Sequence, residues 1–267
     1  MINVDWCHTF IKKSGNHFNT GLRGRAKSVE VLMNHEVPKI STIDGPAGAG
    51  KSTMARELAR RLDWVYLDTG ALYRAIALTA LKNGVDPADQ KASENLARSI
   101  KISVQASPKG TSIMVDDLDV TEQLRSPEIS MAASTISAWP GVREALLNIQ
   151  KTEGWKGKIV AEGRDMGTVV FPEAGLKLYL YASPEERAQR RYRELAAKGV
   201  DTTYEQVLRE INERDYNDEH RPVSPLKPAP DAVTIDSTKL EPEAVQKFML
   251  NAFRCRFFSK TNGNGSH

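Results

Sequence analysis

The sequence predicts an α/β protein built on a parallel five-stranded sheet with helices on both faces and a small antiparallel β insertion. Three observations predict it. Five short β-rich runs (39–44, 64–68, 158–162, 177–182 and 232–236) alternate with amphipathic helical stretches, the signature of a mostly parallel, doubly covered sheet. A glycine-rich turn joins the first run to the first helix. Residues 100–120 instead alternate apolar and polar residues with period two, which reads as a one-sided antiparallel sheet.

Taken in order, residues 1–36 mix His, Asn, Gly and basic residues without a sustained period and carry no apolar signal-peptide core. Asp5 and Glu30 argue against an acid-poor transit peptide, so this stretch is expected to be a disordered extension or an early start codon. Helical spacing follows the first strand in Met54, Leu58, Ala59 and Leu62. It follows the second in Leu72, Ala75, Ile76 and Thr79, with Gly84 as a stop. Pro108-Lys109-Gly110 fits the turn of a hairpin. Ser183 is read as an N-cap, Pro184 as the first helical residue and Glu186 as completing a capping box. The expected organisation is a core at 37–96, an insertion at 97–138, the second part of the core at 139–258 and a disordered tail at 259–267.

Composition sets limits. A chain of 267 residues suits one large domain with insertions or at most two small ones. Lys plus Arg total 37 against 34 for Asp plus Glu, too balanced for a dedicated nucleic-acid coat. Arg254, Arg256 and Lys260 form the best basic cluster, with no aromatic platform beside it, so no nucleic-acid partner is expected. No apolar run approaches the roughly 20 residues needed to cross a bilayer. Cys7 and Cys255 build neither a disulfide framework nor a CxxC pair, which points to a reducing, cytoplasmic setting. The chain is expected to be a monomer.

The strongest motif is Gly45-Pro46-Ala47-Gly48-Ala49-Gly50-Lys51-Ser52, followed by Thr53. It fits G-x-x-x-x-G-K-[ST] at each fixed position. At ordinary glycine usage such a match arises by chance in on the order of one chain in a hundred. Its glycines let successive N–H groups turn toward phosphate oxygens, and the following helix adds its positive end. Lys51 would reach the β- and γ-phosphates and Ser52 would place a hydroxyl on Mg²⁺. The motif specifies a nucleoside triphosphate and leaves the acceptor open.

Further pieces identify the acceptor side. With Thr-Ile-Asp-Gly-Pro-Ala-Gly-Ala-Gly-Lys-Ser-Thr (42–53) stand Leu-Asp-Thr-Gly-Ala-Leu-Tyr-Arg (67–74), the β-rich insertion, Ala-Ala-Ser (132–134) and Val-Arg-Glu-Ala-Leu (142–146). Glu-Gly-Arg-Asp-Met-Gly-Thr-Val-Val-Phe-Pro (162–172) and Arg214-Asp215 leading to Arg221-Pro222 complete the set. Together, over roughly residues 39–250, they resemble the bacterial cytidylate kinases, a family of P-loop nucleoside monophosphate (NMP) kinases.

The resemblance implies that the insertion at 97–138 is an NMP-binding subdomain, that a short lid lies near 183–200, and that ATP with Mg²⁺ phosphorylates CMP and dCMP. It implies that Gly45 through Thr53 hold ATP, with Ser52 and Glu162 toward the metal; many family members carry Asp where this chain has Glu162. Arg74, Arg143 and Arg164 match the clamp on the CMP phosphate, with Asp165 beside them. Thr69, Tyr73, Ser134 and Arg221 match other acceptor contacts. Arg214 and Asp218 match the readers of the cytosine ring, and a carboxylate at 218 suits an exocyclic amine and repels a carbonyl. Lys51, Arg164, Arg187 and Arg191 are the expected catalytic cations, the last two taken from an arginine-rich helix by their shared face. The nearest alternative is another P-loop kinase of an NMP or small metabolite, UMP/CMP or shikimate-like. A guanine-binding switch lacks its N-K-x-D segment here.

Overall fold

The computed structural model describes residues 38–107 and 110–258. The expected extension at 1–36, the residues Pro108 and Lys109 of the hairpin turn, and the tail at 259–267 lie outside them. β1 (Ile40–Asp44) runs into the glycine-rich turn and α1 (Lys51–Leu62), then β2 (Val65–Asp68), α2 (Thr69–Lys82) and α3 (Gln90–Ser99). A meander of β3 (Ile102–Ser107), β4 (Gly110–Val115) and β5 (Leu118–Asp119) precedes α4 (Pro127–Ile136) and α5 (Pro140–Gly154). β6 (Ile159–Gly163), a π-helical turn (Met166–Val170) and β7 (Leu176–Tyr181) follow. The chain continues with α6 (Pro184–Ala197), α7 (Tyr204–His220), β8 (Val233–Asp236) and α8 (Pro242–Phe258). The boundary expected near residue 97 falls inside α3.

Among the described residues one eight-stranded sheet forms, in the order β5-β4-β3-β2-β6-β1-β7-β8. From β2 to β8 neighbouring strands pair in parallel, and the meander pairs antiparallel. The antiparallel insertion therefore continues the main sheet. Tyr66 pairs with Ser107, and the Thr111 hydroxyl bridges the next rung. It donates to the Tyr66 carbonyl at 2.9 Å and accepts from the Asp68 N–H at 3.0 Å. Asp116 and Asp117, both at positive φ, make the two-residue turn that returns β4 into β5.

Alternate residues of the buried strands face opposite sides. Ile159 and Ala161 of β6 join Leu72, Ile76, Val142 and Phe171, whereas Val160 joins Leu58, Leu178, Met249 and Phe253. Each aliphatic side chain so buried contributes about 1.5–3 kcal/mol, so both sheet faces need a helical cover. α6 and α7 form a hairpin with its own small cluster of Ala188, Leu195, Val207 and Ile211. Thr203 and Gln206 make a reciprocal capping box at the start of α7. At α6 the Ser183 hydroxyl accepts from the Glu186 N–H at 3.3 Å, as expected, but the box does not close. Glu186 turns to Arg190 at 2.8 Å, and the Ser183 N–H donates to Thr238 instead.

Gly154, the last residue of α5, lies against the buried ring of Phe171; a β-carbon there would stand 2.2 Å from two ring atoms. Alanine in a helix normally gains on glycine by up to about 1 kcal/mol. Here the sign reverses. Gly154→Ala is expected to cost about 1–3 kcal/mol, read as a lower urea midpoint at unchanged slope; a raised midpoint would contradict this packing.

Candidate functional site

Parallel strands end with their carboxyl edges on one rim, and the crevice opens where the order of connection reverses across the sheet. β1 lies at that point between β6 and β7. A cleft of about 680 Å³ opens beyond Asp68 and Glu162, at the ends of β2 and β6. Lys51, Ser52 and Thr53 at the start of α1 line one part of it. Thr69, Tyr73, Arg74, Ser134, Arg143, Arg164 and Asp165 line another, and Arg191, Arg214, Asp218 and Arg221 close it from the α6–α7 side. Most of the expected site residues therefore converge.

The glycine-rich turn faces the cleft through Ala47, Gly48 and Gly50. Gly45 has φ +149°, and a β-carbon there would meet the Leu180 carbonyl oxygen at 2.0 Å, so only glycine fits. Ala49 points into the core and Pro46 presents its carbonyl to Lys51 Nζ at 2.7 Å. Burial and the nearby Arg164 lower the Lys51 pKa to about 7, against the pull of Glu162, Asp218 and Asp44. The buried Glu162 accepts from the Tyr66 hydroxyl and from Ser52. Burial and the neighbouring Asp68 raise its pKa. It makes no ion pair among the described residues.

The acceptor half is a lattice of ion pairs. Asp68 caps α2 through the Ala71 N–H and holds Arg74 at 2.8 Å. Arg143 is buried, reaches Asp165 and the Ser137 carbonyl, and lies over the Tyr73 ring. Arg164 Nε donates to Asp218 at 2.7 Å, and Arg221 stands 3.7 Å from Asp165 and 3.9 Å from Asp218. Burial pushes the Asp218 pKa up, but Arg164, Arg221 and Arg214 outweigh it and hold the carboxyl below its ordinary value. The intrahelical Arg214–Asp218 pair that the spacing allows does not form, since Asp218 turns to Arg164. Arg214 Nε is left without a hydrogen-bond partner. Its pKa falls to about 10, first from burial and then from the charges of Arg164, Arg191 and Arg74, which Asp218 only partly offsets. The buried Ser134 hydroxyl is also unpartnered. Thr69 spends its hydroxyl on the Glu162 carbonyl at 2.7 Å.

The structure corrects the reading of α6. Arg187, expected to touch phosphate, is 1% exposed and does not line the cleft. Its guanidinium donates through all three nitrogens, to the Ala182 carbonyl at 2.8 Å, the Ala47 carbonyl at 2.9 Å and both oxygens of Asp215. Arg190, set aside by the sequence reading, lines the cleft beside Arg191 and binds the Ser237 carbonyl at 2.7 Å. Sequence also missed Asp44. This buried carboxylate at the end of β1 accepts the N–H groups of Met166 at 2.8 Å and Gly167 at 2.7 Å. It thereby ties the glycine-rich turn to the segment carrying Arg164 and Asp165. A charged residue closing an otherwise buried strand was the available signal.

Comparison with known proteins places the chain among named relatives. Residues 41–255 match the family model described as cytidylate kinase. A protein from Carboxydothermus hydrogenoformans named cytidylate kinase is 47% identical over 208 residues, covering 78% of this chain and 94% of its own. One of the same name from Pseudomonas aeruginosa is 48% identical over 220 residues, covering 82% and 96%. Among solved structures, TT1252 from Thermus thermophilus is similar at TM-score 0.41 and 20% identity, over 82% of this chain and 97% of its own. No helix among the described residues is long and apolar enough to cross a membrane.

Burial raises the Asp44 pKa from 3.8 to about 6, against the two N–H bonds that favour its charge. An acid whose folded pKa is raised adds stability in its protonated form, and loses that contribution as pH rises through the folded value. Asn at position 44 does not titrate. The stability of the parent chain relative to Asp44→Asn is therefore expected to fall between about pH 4 and pH 6 and then level off. Urea unfolding of both proteins across that window checks it, and a difference that is flat or rises with pH contradicts the assignment.

Proposed function

This chain belongs to the cytidylate kinase family, and on that premise we propose how its cleft works. The family makes it an enzyme that phosphorylates CMP and dCMP. ATP is the donor and Mg²⁺ the metal. A phosphate oxygen of CMP attacks the γ-phosphorus, the bond to the β–γ bridging oxygen breaks in line, and ADP leaves with the electron pair. No covalent enzyme intermediate is needed.

The observation that carries this reading is the crowding of Arg74, Arg164, Arg191 and Arg214 around one cleft, with Arg214 Nε unpartnered and its pKa depressed. Arg74, Arg164 and Arg191 each hold one carboxylate, Asp68, Asp218 and Glu194, whereas Arg214 forms no such pair among the described residues and is raised in energy by its cationic neighbours unless an anion lies among them. A phosphate monoester or anhydride supplies that anion, and guanidinium binds it bidentately. Charge that develops on the transferring group is met by the same cations, already oriented by Asp68, Asp165 and Asp218.

Residues 45–53 hold the ATP phosphates. Lys51, parked on the Pro46 carbonyl, transfers its ammonium to the β- and γ-oxygens, which restores the charged form that burial disfavours. Arg190 and Arg191 flank the donor from α6. The acceptor phosphate meets Arg74, Arg143 and Arg164, with Thr69 and Asp165 fixing the local backbone and guanidinium positions. Arg214, Asp218, Arg221, Ser134 and Tyr73 enclose the base. The α6–α7 hairpin closes the site against water as a lid, because an open site would hydrolyse ATP.

The residues present fit a metal. Among the described residues no three His, Cys, Asp or Glu gather as a cage. Mg²⁺ in phosphoryl transfer takes one or two carboxylates, a hydroxyl, water and the phosphates themselves. Glu162 and Ser52 supply that donor set, and burial with the neighbouring Asp68 raises the Glu162 pKa more than Lys51 lowers it, so a further cation beside this carboxylate is favoured. The metal would neutralise charge on the β- and γ-oxygens. The remaining features proposed here are a cytoplasmic, monomeric enzyme without nucleic-acid or membrane partners.

Two outcomes test the reading. In a coupled ADP-release assay CMP and dCMP should be turned over, with kcat/KM for UMP lower by about 10- to 100-fold, since a carbonyl replaces the amine that Asp218 accepts from. UMP matching CMP removes the base-reading role of Asp218. Asp218→Ala should raise KM for CMP by at least about 10-fold while KM for ATP moves by less than about threefold; equal increases would contradict the assignment.

A further inference from the structure

Arg187 holds a position that the transfer chemistry leaves unexplained. It is the largest fully buried side chain among the described residues, and it is a cation. Its partners lie on three elements: the end of the β7 strand segment at Ala182, the glycine-rich turn at Ala47, and α7 at Asp215. Burying a guanidinium is costly unless its donors are satisfied, and here all of its nitrogens are bound.

The Ala47 contact has a consequence for the cleft. In a trans peptide unit the C=O and the following N–H point in opposite directions. With the Ala47 carbonyl drawn toward Arg187, the Gly48 N–H is turned the other way, and Gly48 lines the cleft. The same side chain also packs on this peptide, since a β-carbon on Gly48 would lie 3.3 Å from Arg187 Cβ. At its other end the guanidinium grips Asp215 through both oxygens. Asp215 follows Arg214 directly and precedes Asp218 by one turn of α7. The donor-side turn and the acceptor-side helix thus share one buried cation, while the α6–α7 hairpin otherwise packs as its own cluster.

We infer that Arg187 is a positioning residue that couples α7 to the glycine-rich turn, so that filling either nucleotide site tightens binding at the other. This rests on the cytidylate kinase reading of the cleft. Seating CMP fixes α7, which through Asp215 and Arg187 fixes the Ala47–Gly48 peptide in its phosphate-facing orientation. Linkage requires the reverse effect to be equal.

Calorimetry on the full chain tests it. For the parent enzyme, the Kd of CMP should tighten by about fivefold or more when a non-hydrolysable ATP analogue and Mg²⁺ are present. In Arg187→Lys and Asp215→Asn this ratio should fall to within about twofold of unity, with KM for both nucleotides rising together. Arg193→Ala, an exposed change on the same helix, should keep the parent ratio. A parent ratio near unity overturns the inference, as does a folded Arg187→Lys that keeps the parent ratio. A loss confined to kcat also overturns it, because it would place the guanidinium on the transferring phosphoryl. A measurement on the parent alone holds even if both variants unfold: CMP by itself should slow amide exchange in the peptide spanning 45–50, and unchanged exchange there overturns the proposal. An enzyme that binds the analogue yet never turns over CMP would instead fell the functional reading.

Discussion

The structure is organised around a surplus of positive charge that the protein alone does not fully neutralise. Arg74, Arg143, Arg164, Arg191, Arg214 and Arg221 reach one cleft, and Asp68, Asp165 and Asp218 balance only some of them. Such a lattice must be built before ligand arrives, because reorganising charged groups during the reaction would cost what preorganisation saves. The fold supplies that rigidity from the parallel strands. Asp44 and Glu162 sit at strand ends in a buried rim, and Thr69 anchors its helix on the Glu162 carbonyl. Asp68, Asp165 and Asp218 brace the cations, setting where Arg74, Arg143 and Arg164 point.

Two kinds of arginine result. Arg143 and Arg164 are half-satisfied by protein and keep donors for a phosphate. Arg187 donates to protein through all three nitrogens and acts on the backbone. Residue type alone cannot separate the two. What separates them is which carbonyls lie within reach, and that depends on how α6 crosses the glycine-rich turn.

This is also where the sequence was legible and where it was not. Strand positions followed from runs of buried apolar residues, and all five core strands lie within two residues of their expected bounds. The glycine-rich turn followed from a motif whose spacing fixes its place between a strand and a helix, and the acceptor residues followed from the resemblance of further pieces to a known family. Of the two arginines chosen, Arg191 lines the cleft and Arg187 does not, because helical phase gives a shared face but not which neighbour lies against it. The capping box at Ser183 failed for a related reason: Glu186 had a second partner, Arg190, that local pattern does not rank. The antiparallel insertion was legible from its period of two, but its junction with the main sheet was not, because there the Thr111 side chain bridges β4 to β2.

The short β5 strand has a consequence away from the cleft. It closes one margin of an eight-stranded sheet with only two residues, Leu118 and Asp119, next to the acidic turn of Asp116 and Asp117. A long bare margin would offer its amides to a second molecule, and the cell would face stacking of copies into aggregates. Here the available ladder is nearly nil and negatively charged. The arrangement that lengthens the sheet thus also ends it on a strand of only two residues, which leaves little backbone for a second molecule to pair with.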